Sequence, residues 1–469
     1  MLFSSITFLY WFLPALLLLY FLVKPVKGKN LVLLLGSLLF YFWGEPKYTL
    51  LLLFSILSGY VHGLLIHRWR GTAKSKWALV SSIVVSLGLL GVFKYADFFL
   101  STLNGVFRAD IPLLKLALPI GISFYTFQLL SYTIDLYRGQ TKLQRNPLTL
   151  ATYVALFPQL IAGPIVRYST VAAELEHREH TLEGFASGAF RFAVGLGKKV
   201  LLANTLGELC SIFKASGERT VLFYWLYAIA FALHLYFDFS GYSDMAIGLG
   251  RIFGFTFLEN FNYPFISKSV SEFWRRWHIS LGSWFRDYVY IPLGGNRCST
   301  PRWLLNILVV WFLTGLWHGA GWTFMAWGVL FAILLAAEKL FLGKWLSKAP
   351  GAIGHVYTML VVLISFVIFD ADTLSQAFVR IGGLFGGGTS ALWGTESLYY
   401  LKSYAVLLIL GIVGCTPLVK ALCDRLYARQ GGLGTAMRVL RPVALALLLL
   451  CCTAYLVDGS FNPFIYFRF

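Results

Sequence analysis

The stretch Glu272-Phe273-Trp274-Arg275-Arg276-Trp277-His278-Ile279-Ser280 and, forty positions on from its histidine, Trp317-His318-Gly319 form one aromatic and polar island between apolar runs. The island opens at Tyr263-Pro264-Phe265, passes Arg286-Asp287-Tyr288 and Gly294-Gly295-Asn296-Arg297, and closes at Trp322. Immediately before its second histidine runs Leu308-Val309-Val310-Trp311-Phe312-Leu313. An ionisable side chain at the end of such a run is costly in hydrocarbon and is a functional candidate by default. The alternative is a histidine hydrogen-bonded at the interface, with Trp317 and Trp322 as belt aromatics.

Working outward, the 469 residues are 58% apolar and 13% charged, with a mean hydropathy of +0.71. A soluble domain carries roughly 25% charged residues. The composition therefore predicts a polytopic, all-α membrane protein, a single membrane-embedded domain over 1–469. The net charge of +18 invites nucleic acid as a partner, but its bases cluster in short loops between spans. The positive-inside rule and anionic membrane lipids account for them, with no nucleic acid. Six cysteines show no C-x-x-C pair and point to neither disulfides nor zinc, so no metal is expected. The N-terminus lacks a basic n-region and a small-residue cleavage site, so no removable signal peptide is expected.

Roughly eleven transmembrane helices are predicted, at 3–23, 31–43, 48–66, 77–93, 116–137, 221–237, 303–317, 322–342, 355–369, 401–418 and 440–457. The loops after the first, third and fifth carry Lys24, Lys27 and Lys29; Arg68, Arg70, Lys74 and Lys76; and Arg138, Lys142 and Arg145, without an acid. This alternation places the N-terminus outside the cell and these loops in the cytoplasm. Residues 148–168 are interrupted by Phe157-Pro158 and Ala162-Gly163-Pro164, which predicts a broken or re-entrant helix shielded by protein. Residues 184–213 read as an interfacial amphipathic helix or a short span. His177-Arg178-Glu179-His180 reads as a solvated loop, and Gly382 to Gly388 as a flexible glycine-rich one. No internal repeat suggests the doubled architecture of many transporters.

Ser269 and Glu272 have capping-box spacing, so a helix is expected to start there and to carry Phe273, Trp277 and Leu281 on one face. Trp274 and His278 lie beside that face, with Arg275, Arg276 and Arg286 toward headgroups or water. Two readings stand: an interfacial helix with a spectator histidine, or the mouth of a buried site whose arginines bind an anionic, phosphate-bearing substrate. There is no G-x-S-x-G elbow, no His-Glu-x-x-His and no Walker loop. Neither histidine is followed by an acid four intervening residues on. Asp370-Ala371-Asp372 spells D-x-D but follows a span directly, which favours a solvated turn or cap.

Blocks spread along the chain resemble the membrane-bound O-acyltransferase superfamily, and within it the alginate O-acetyltransferase type of bacterial polysaccharide acetylase. They include Phe93-Lys94-Tyr95, Leu118-Pro119-Ile120-Gly121-Ile122-Ser123-Phe124-Tyr125, Phe157-Pro158-Gln159-Leu160 and Tyr236-Phe237-Asp238-Phe239-Ser240-Gly241-Tyr242-Ser243-Asp244. The two halves of the island belong to the set, as does Phe461-Asn462-Pro463-Phe464-Ile465-Tyr466-Phe467. The resemblance implies a helical bundle with re-entrant and interfacial helices and a central tunnel in a bacterial inner membrane. It implies His318 as the essential histidine and His278 as the second, on the donor side.

It further implies acetyl-CoA as a cytoplasmic donor substrate, with no bound cofactor. An extracytoplasmic partner of the SGNH-hydrolase type, within the polysaccharide biosynthesis machinery, is implied as the carrier to polymer hydroxyls. A histidine near neutral pKa can take a proton from a hydroxyl and return it, so His318 is expected as general base. Arg275, Arg276 and Arg286 are expected near the donor. Asp238, Tyr242 and Asp244 are expected as hydrogen-bonders at a broken helix, with Trp317 beside the site. Where relatives carry an arginine after Ile-Phe, this chain has Asp370. D-alanyl transfer to teichoic acid is the alternative within the resemblance; a flippase of lipid-linked sugars is the alternative outside it.

Overall fold

The computed structural model describes residues 1–428, 432–459 and 464. Among these the secondary structure is helical, and the β-bridge is confined to Thr220 and Ala391. Eight helices among the described residues have the length and apolarity to cross a bilayer: Val26–Gly44, Pro46–Arg68, Ala73–Phe107, Val221–Ile252, Trp322–Leu346, Gly351–Phe369, Thr395–Gly414 and Gly434–Asp458. This is the all-α polytopic architecture expected. Three of the predicted spans take other forms: the short Phe8–Leu22, the 17-residue Ile122–Arg138, and Thr300–His318, which buries Asn306, Thr314 and His318. The C-terminal block quoted above lies outside the described residues except for Phe464.

The chain divides into two compact units, Met1–Phe192 with Tyr242–Leu258, and Ala193–Gly241 with Glu259–Phe469. In the first, backbone chemistry sets the helix ends. Pro46 stands in the first turn of its helix, where its missing N–H costs nothing. Gly121 and Gly139, both at φ 76°, bracket Ile122–Arg138, a left-handed geometry that favours glycine. The expected break is present between Pro147–Ala155 and Phe157–Leu160. Residues 152–166 are buried throughout. Freed polar groups there find partners: Phe157 N donates to Ser37 Oγ at 3.1 Å and Gln159 Nε2 to the Tyr153 carbonyl at 2.5 Å. Around Phe157 the rings of Phe3, Phe8, Phe12 and Phe40 pack with centroids 5.3–6.0 Å from it.

His177 to His180 is a loop that is exposed at His177 and Glu179, as expected, but not throughout. Arg178 is buried, and His180 lies 2.8 Å from the Tyr20 hydroxyl. Arg178 and His180 are thus folded down onto the first helix, where the Tyr20 hydroxyl meets both.

In the second unit, helices over 198–215 flank the long Val221–Ile252 helix. That helix is continuous through Asp238, Tyr242 and Asp244, which corrects the expected break. Its polar residues are neutralised from outside. Lys199 Nζ sits 2.5 Å from Asp238 Oδ1 with both side chains almost fully buried. Within the first unit, Arg191 meets Asp244 at 2.8 Å. Helix Thr300–His318 turns back through Gly319-Ala320-Gly321 into Trp322–Ala337. A Cβ at Gly315 would lie 2.3 Å from the Phe324 carbonyl oxygen, and one at Gly328 2.3 Å from that of Trp311. Backbone thus touches backbone, a close approach that small residues permit between membrane helices. The approach fixes where His318 points.

The expected loop at Gly382 to Gly388 is largely ordered helix and turn. Gly382 and Gly383 lie in Leu374–Leu384. Gly383 sits against the Tyr224 ring, where a Cβ would come within 2.4 Å. Asp370 is likewise no solvated cap. It lies 2.6 Å from Lys214 Nζ and 3.4 Å from Arg380 Nη1, and accepts from the Tyr227 hydroxyl.

Candidate active site

The island folds as two short helices rather than one. Ser269 Oγ accepts from Glu272 N at 3.0 Å, and the Glu272 carboxylate accepts from Lys268 N at 2.9 Å, so the expected start is present. A carboxylate from the neighbouring span reinforces it. Glu338 is buried and accepts from Val270 N at 2.6 Å, Ser271 N at 2.9 Å and Ser271 Oγ at 2.6 Å. The helix then stops at Arg276. Trp277 is extended, His278 adopts φ 46° and ψ 52°, and a second helix runs Ile279–Phe285. The expected continuous amphipathic helix is corrected by this break.

Asn260 holds the break in place. Its main-chain carbonyl accepts from Ile279 N at 3.0 Å. Its side-chain oxygen accepts from Ser280 N at 3.2 Å, Ser280 Oγ at 2.9 Å and His278 Nδ1 at 3.2 Å. Because a main-chain N–H can only donate, the atom facing it is the amide oxygen, and His278 must carry its proton on Nδ1. Nε2 is then the bare lone pair. It is buried and has no hydrogen-bond partner among the described residues.

His278 lines a cavity of about 580 Å³ together with Trp274, Arg275, Arg286, Trp311 and Lys339; among the described residues no acidic side chain lines it, and Arg286 is paired beside it with Asp287 at 2.7 Å. Lys339 Nζ donates to Asn296 Oδ1 at 2.8 Å and lies 4.3 Å above the Trp303 ring. Trp303 Nε1 donates to the Tyr290 hydroxyl at 3.1 Å, and that hydroxyl donates to Asn296. Charge without acid and aromatic walls suit a ligand that is anionic at one end and apolar at the other.

His318, the last residue of its helix, is buried in an aromatic box. Its ring centroid lies 5.1 Å from Trp317, 5.2 Å from Trp327 and 5.4 Å from Phe369. The two histidine rings are 6.4 Å apart, with Trp317 also 5.7 Å from His278. The structure therefore brings His278, His318, Trp317, Arg275 and Arg286 into one region. Arg276 is directed elsewhere, onto Glu272 at 2.9 Å and the Asn262 carbonyl at 3.1 Å. Asp238 is spent on Lys199. Tyr242 stacks on Phe3 at 4.7 Å, and Asp244 pairs with Arg191.

Sequence reasoning missed Asn260, Lys339 and the Tyr290–Asn296–Trp303 cluster. Lys339 carried a readable signal, since a Glu-Lys pair at the end of an apolar span is costly. Asn260 carried none, because its role depends on a contact across the 18 positions that separate it from His278.

Burial pushes His278 down from its ordinary 6.5 to about 3. Its ring stays neutral in the folded protein at physiological pH. Between about 6.5 and 3 the unfolded chain binds the proton more readily, so this group's contribution to stability falls as pH falls through that window. Asn260→Asp keeps the acceptor but sets a carboxylate against Nδ1–H, which favours the imidazolium. The pH–activity profile of that variant is expected to acquire an acidic limb at higher pH than the wild type. Superimposed profiles would remove Asn260 as the residue that sets the His278 tautomer. Asn260→Leu strands the Nδ1–H donor, at about 1–3 kcal/mol, and is expected to lose both stability and activity.

Comparison with known proteins finds relatives along most of the chain. Residues 38–369 match the family model described as MBOAT, membrane-bound O-acyltransferase family. A probable alginate O-acetylase of Azotobacter vinelandii is 39% identical, with 100% of both chains covered. One of Pseudomonas aeruginosa is 44% identical over 83% of this chain and 76% of its own. A peptidoglycan O-acetyltransferase of Helicobacter pylori is 34% identical over 82% of this chain and 80% of its own.

Proposed function

The chain belongs to the membrane-bound O-acyltransferase family and is a multi-pass membrane O-acyltransferase, and from that premise we propose that it moves an acetyl group from cytoplasmic acetyl-CoA across the bacterial inner membrane for polysaccharide O-acetylation. The reading rests on one arrangement: an acid-free, cation-lined cavity that reaches His278, whose ring lies 6.4 Å from that of buried His318. The whole chain acts as one membrane-embedded domain, with its N-terminus outside. An SGNH-hydrolase-type partner outside the membrane receives the group and passes it to the polymer.

In this reading Arg275, Arg286 and Lys339 receive the donor's phosphates, and the aromatic walls hold its apolar arm. The bare Nε2 of His278 accepts a hydrogen bond from the donor and orients its thioester. His318 takes the proton of the attacking hydroxyl as that oxygen bonds to the thioester carbon. The C–S bond then breaks, and the proton passes from His318 to the departing thiolate, which restores the neutral imidazole. The surrounding Trp317, Trp327 and Phe369 exclude water, which would otherwise hydrolyse the thioester.

The donor assignment is tested by steady-state kinetics with acetyl-CoA on protein in proteoliposomes. Arg275→Ala and Lys339→Ala are each expected to raise KM about tenfold, the loss of about 1.4 kcal/mol of uniform binding, with kcat kept. An unchanged KM in both removes the phosphates from this cavity.

A further inference from the structure

A second cluster of cations, in the first unit, takes no part in this chemistry. The first turn of Val26–Gly44 holds Lys27 and Lys29 with no acidic residue, directly after Lys24. Lys29 Nζ lies 3.5 Å from His180 Nδ1 and stands 4.9 Å and 5.5 Å from the ring centroids of Tyr20 and Phe21. The Tyr20 hydroxyl spends its proton on the Phe253 carbonyl at 2.7 Å. His180 must therefore donate Nε2–H to the Tyr20 oxygen at 2.8 Å, which Arg178 Nε–H also approaches at 3.3 Å. His180 Nδ1 is left facing the ammonium.

Arg178 is buried behind Tyr20, its guanidinium 4.4 Å from the Phe255 ring centroid. Its Nη1 donates to the Glu174 carbonyl, and among the described residues its Nη2 has no acceptor. Among the described residues, no carboxylate forms an ion pair with Lys29, Arg178 or His180. The repulsion registers at His180, whose pKa burial and then Lys29 and Arg178 hold below its ordinary value. Two cations and an imidazole this close, with the Glu174 carboxylate acting on Arg178 from beyond ion-pair distance, suit an anion.

The surface beside the cluster is apolar and open. Leu18, Leu22 and Leu182 are 64%, 68% and 90% exposed. Phe21 packs on Phe185 at 6.0 Å. A free phosphate has no use for such a surface, whereas a molecule with an anionic head and hydrocarbon chains covers both parts at once.

We propose that Lys29 and His180, backed by Arg178, bind the phosphate of an anionic phospholipid, His180 taking up a proton on Nδ1 as the phosphate arrives, with the acyl chains along Leu18, Leu22 and Leu182. A zwitterionic lipid brings its own cation toward the three basic groups and is disfavoured. The site therefore selects headgroup charge. It is a binding site apart from the acyl-transfer cavity, and it does not depend on the donor or polymer assigned above.

The test uses the full-length protein in detergent, with the thermal unfolding midpoint and native mass spectrometry as readouts. Probes are phosphatidylglycerol, phosphatidylcholine and inorganic phosphate. The wild type is expected to prefer phosphatidylglycerol over phosphatidylcholine by about fivefold for each of the two contacting cations. Lys29→Gln with His180→Gln is expected to abolish the preference, Lys29→Arg to keep it, and Lys24→Gln to leave it unchanged. Should the double variant not fold, each single variant is expected to lose about fivefold. Equal binding of the two lipids by the wild type, or a preference that survives in the Gln variants, overturns the site. Displacement of the lipid by millimolar inorganic phosphate overturns its assignment to a lipid.

Discussion

His318→Ala is expected to lower polymer acetylation by about 10²–10⁴-fold at matched protein abundance, the contribution typical of a positioned general base. The imidazole ends the Thr300–His318 helix, enclosed by Trp317, Trp327 and Phe369, so no water-filled space stands ready to replace it. Alanine there removes the proton acceptor while the close contact of Gly315 and Gly328 with the facing backbone still holds the helix pair. The fold should therefore survive, and comparing membrane abundance separates chemistry from stability. His278→Ala is expected to act on the donor as well, with a raised KM. The measurement is ester-linked acetate on the polymer in cells that carry each variant. Undiminished acetylation with His318→Ala would end the case for it as the base, and would leave His278 as the imidazole in reach of the cavity.

The second large effect concerns stability. Asp238→Ala is expected to destabilise the protein by about 3–5 kcal/mol, because Lys199 is left charged and buried without its partner. Lys199 Nζ and Asp238 Oδ1 are 2.5 Å apart, with side chains 3% and 0% exposed. Removing both charges together is a different perturbation. A Lys199→Met, Asp238→Leu double variant keeps volume, leaves no bare charge and is expected to recover most of the loss. The readout is the unfolding midpoint in detergent, with acetylation measured in parallel. Equal destabilisation by the single and double variants would show that packing around Val221–Ile252, not charge compensation, sets the cost. Asp238 is in this account a structural residue of the long helix, and full acetylation per folded molecule in the double variant is the expected companion result.

Much of this is legible in the sequence. The all-α membrane class follows from composition, and the broken segment at 148–168 from its two prolines and glycine. Residues that sit directly beside their partners in the chain were also readable. The capping of the first island helix by Ser269 and Glu272 is one case, and Trp317 beside His318 is another. Where partners come from afar, local reading failed in a consistent direction. Asp370, Arg178 and the polar run of Val221–Ile252 were each assigned to solvent or to a helix break. Each is instead buried against a counter-group from another element: Lys214, Tyr20 or Lys199. A charge reads as exposed unless its compensating partner is known.

The sequence by itself determined that the chain is a helical membrane protein, and it singled out His278 and His318 as candidates to move a proton inside it. Hydropathy and residue chemistry are local properties, and they survive without a fold. Only the tertiary structure decided that the island is two helices joined at a left-handed histidine. It also decided that Asn260 leaves Nε2 of that histidine bare, and that Arg275 and Lys339 face one cavity while Arg276 turns back to Glu272. Tautomer, orientation and charge pairing are set by which distant groups come within about 3 Å, and linear spacing carries no record of that distance.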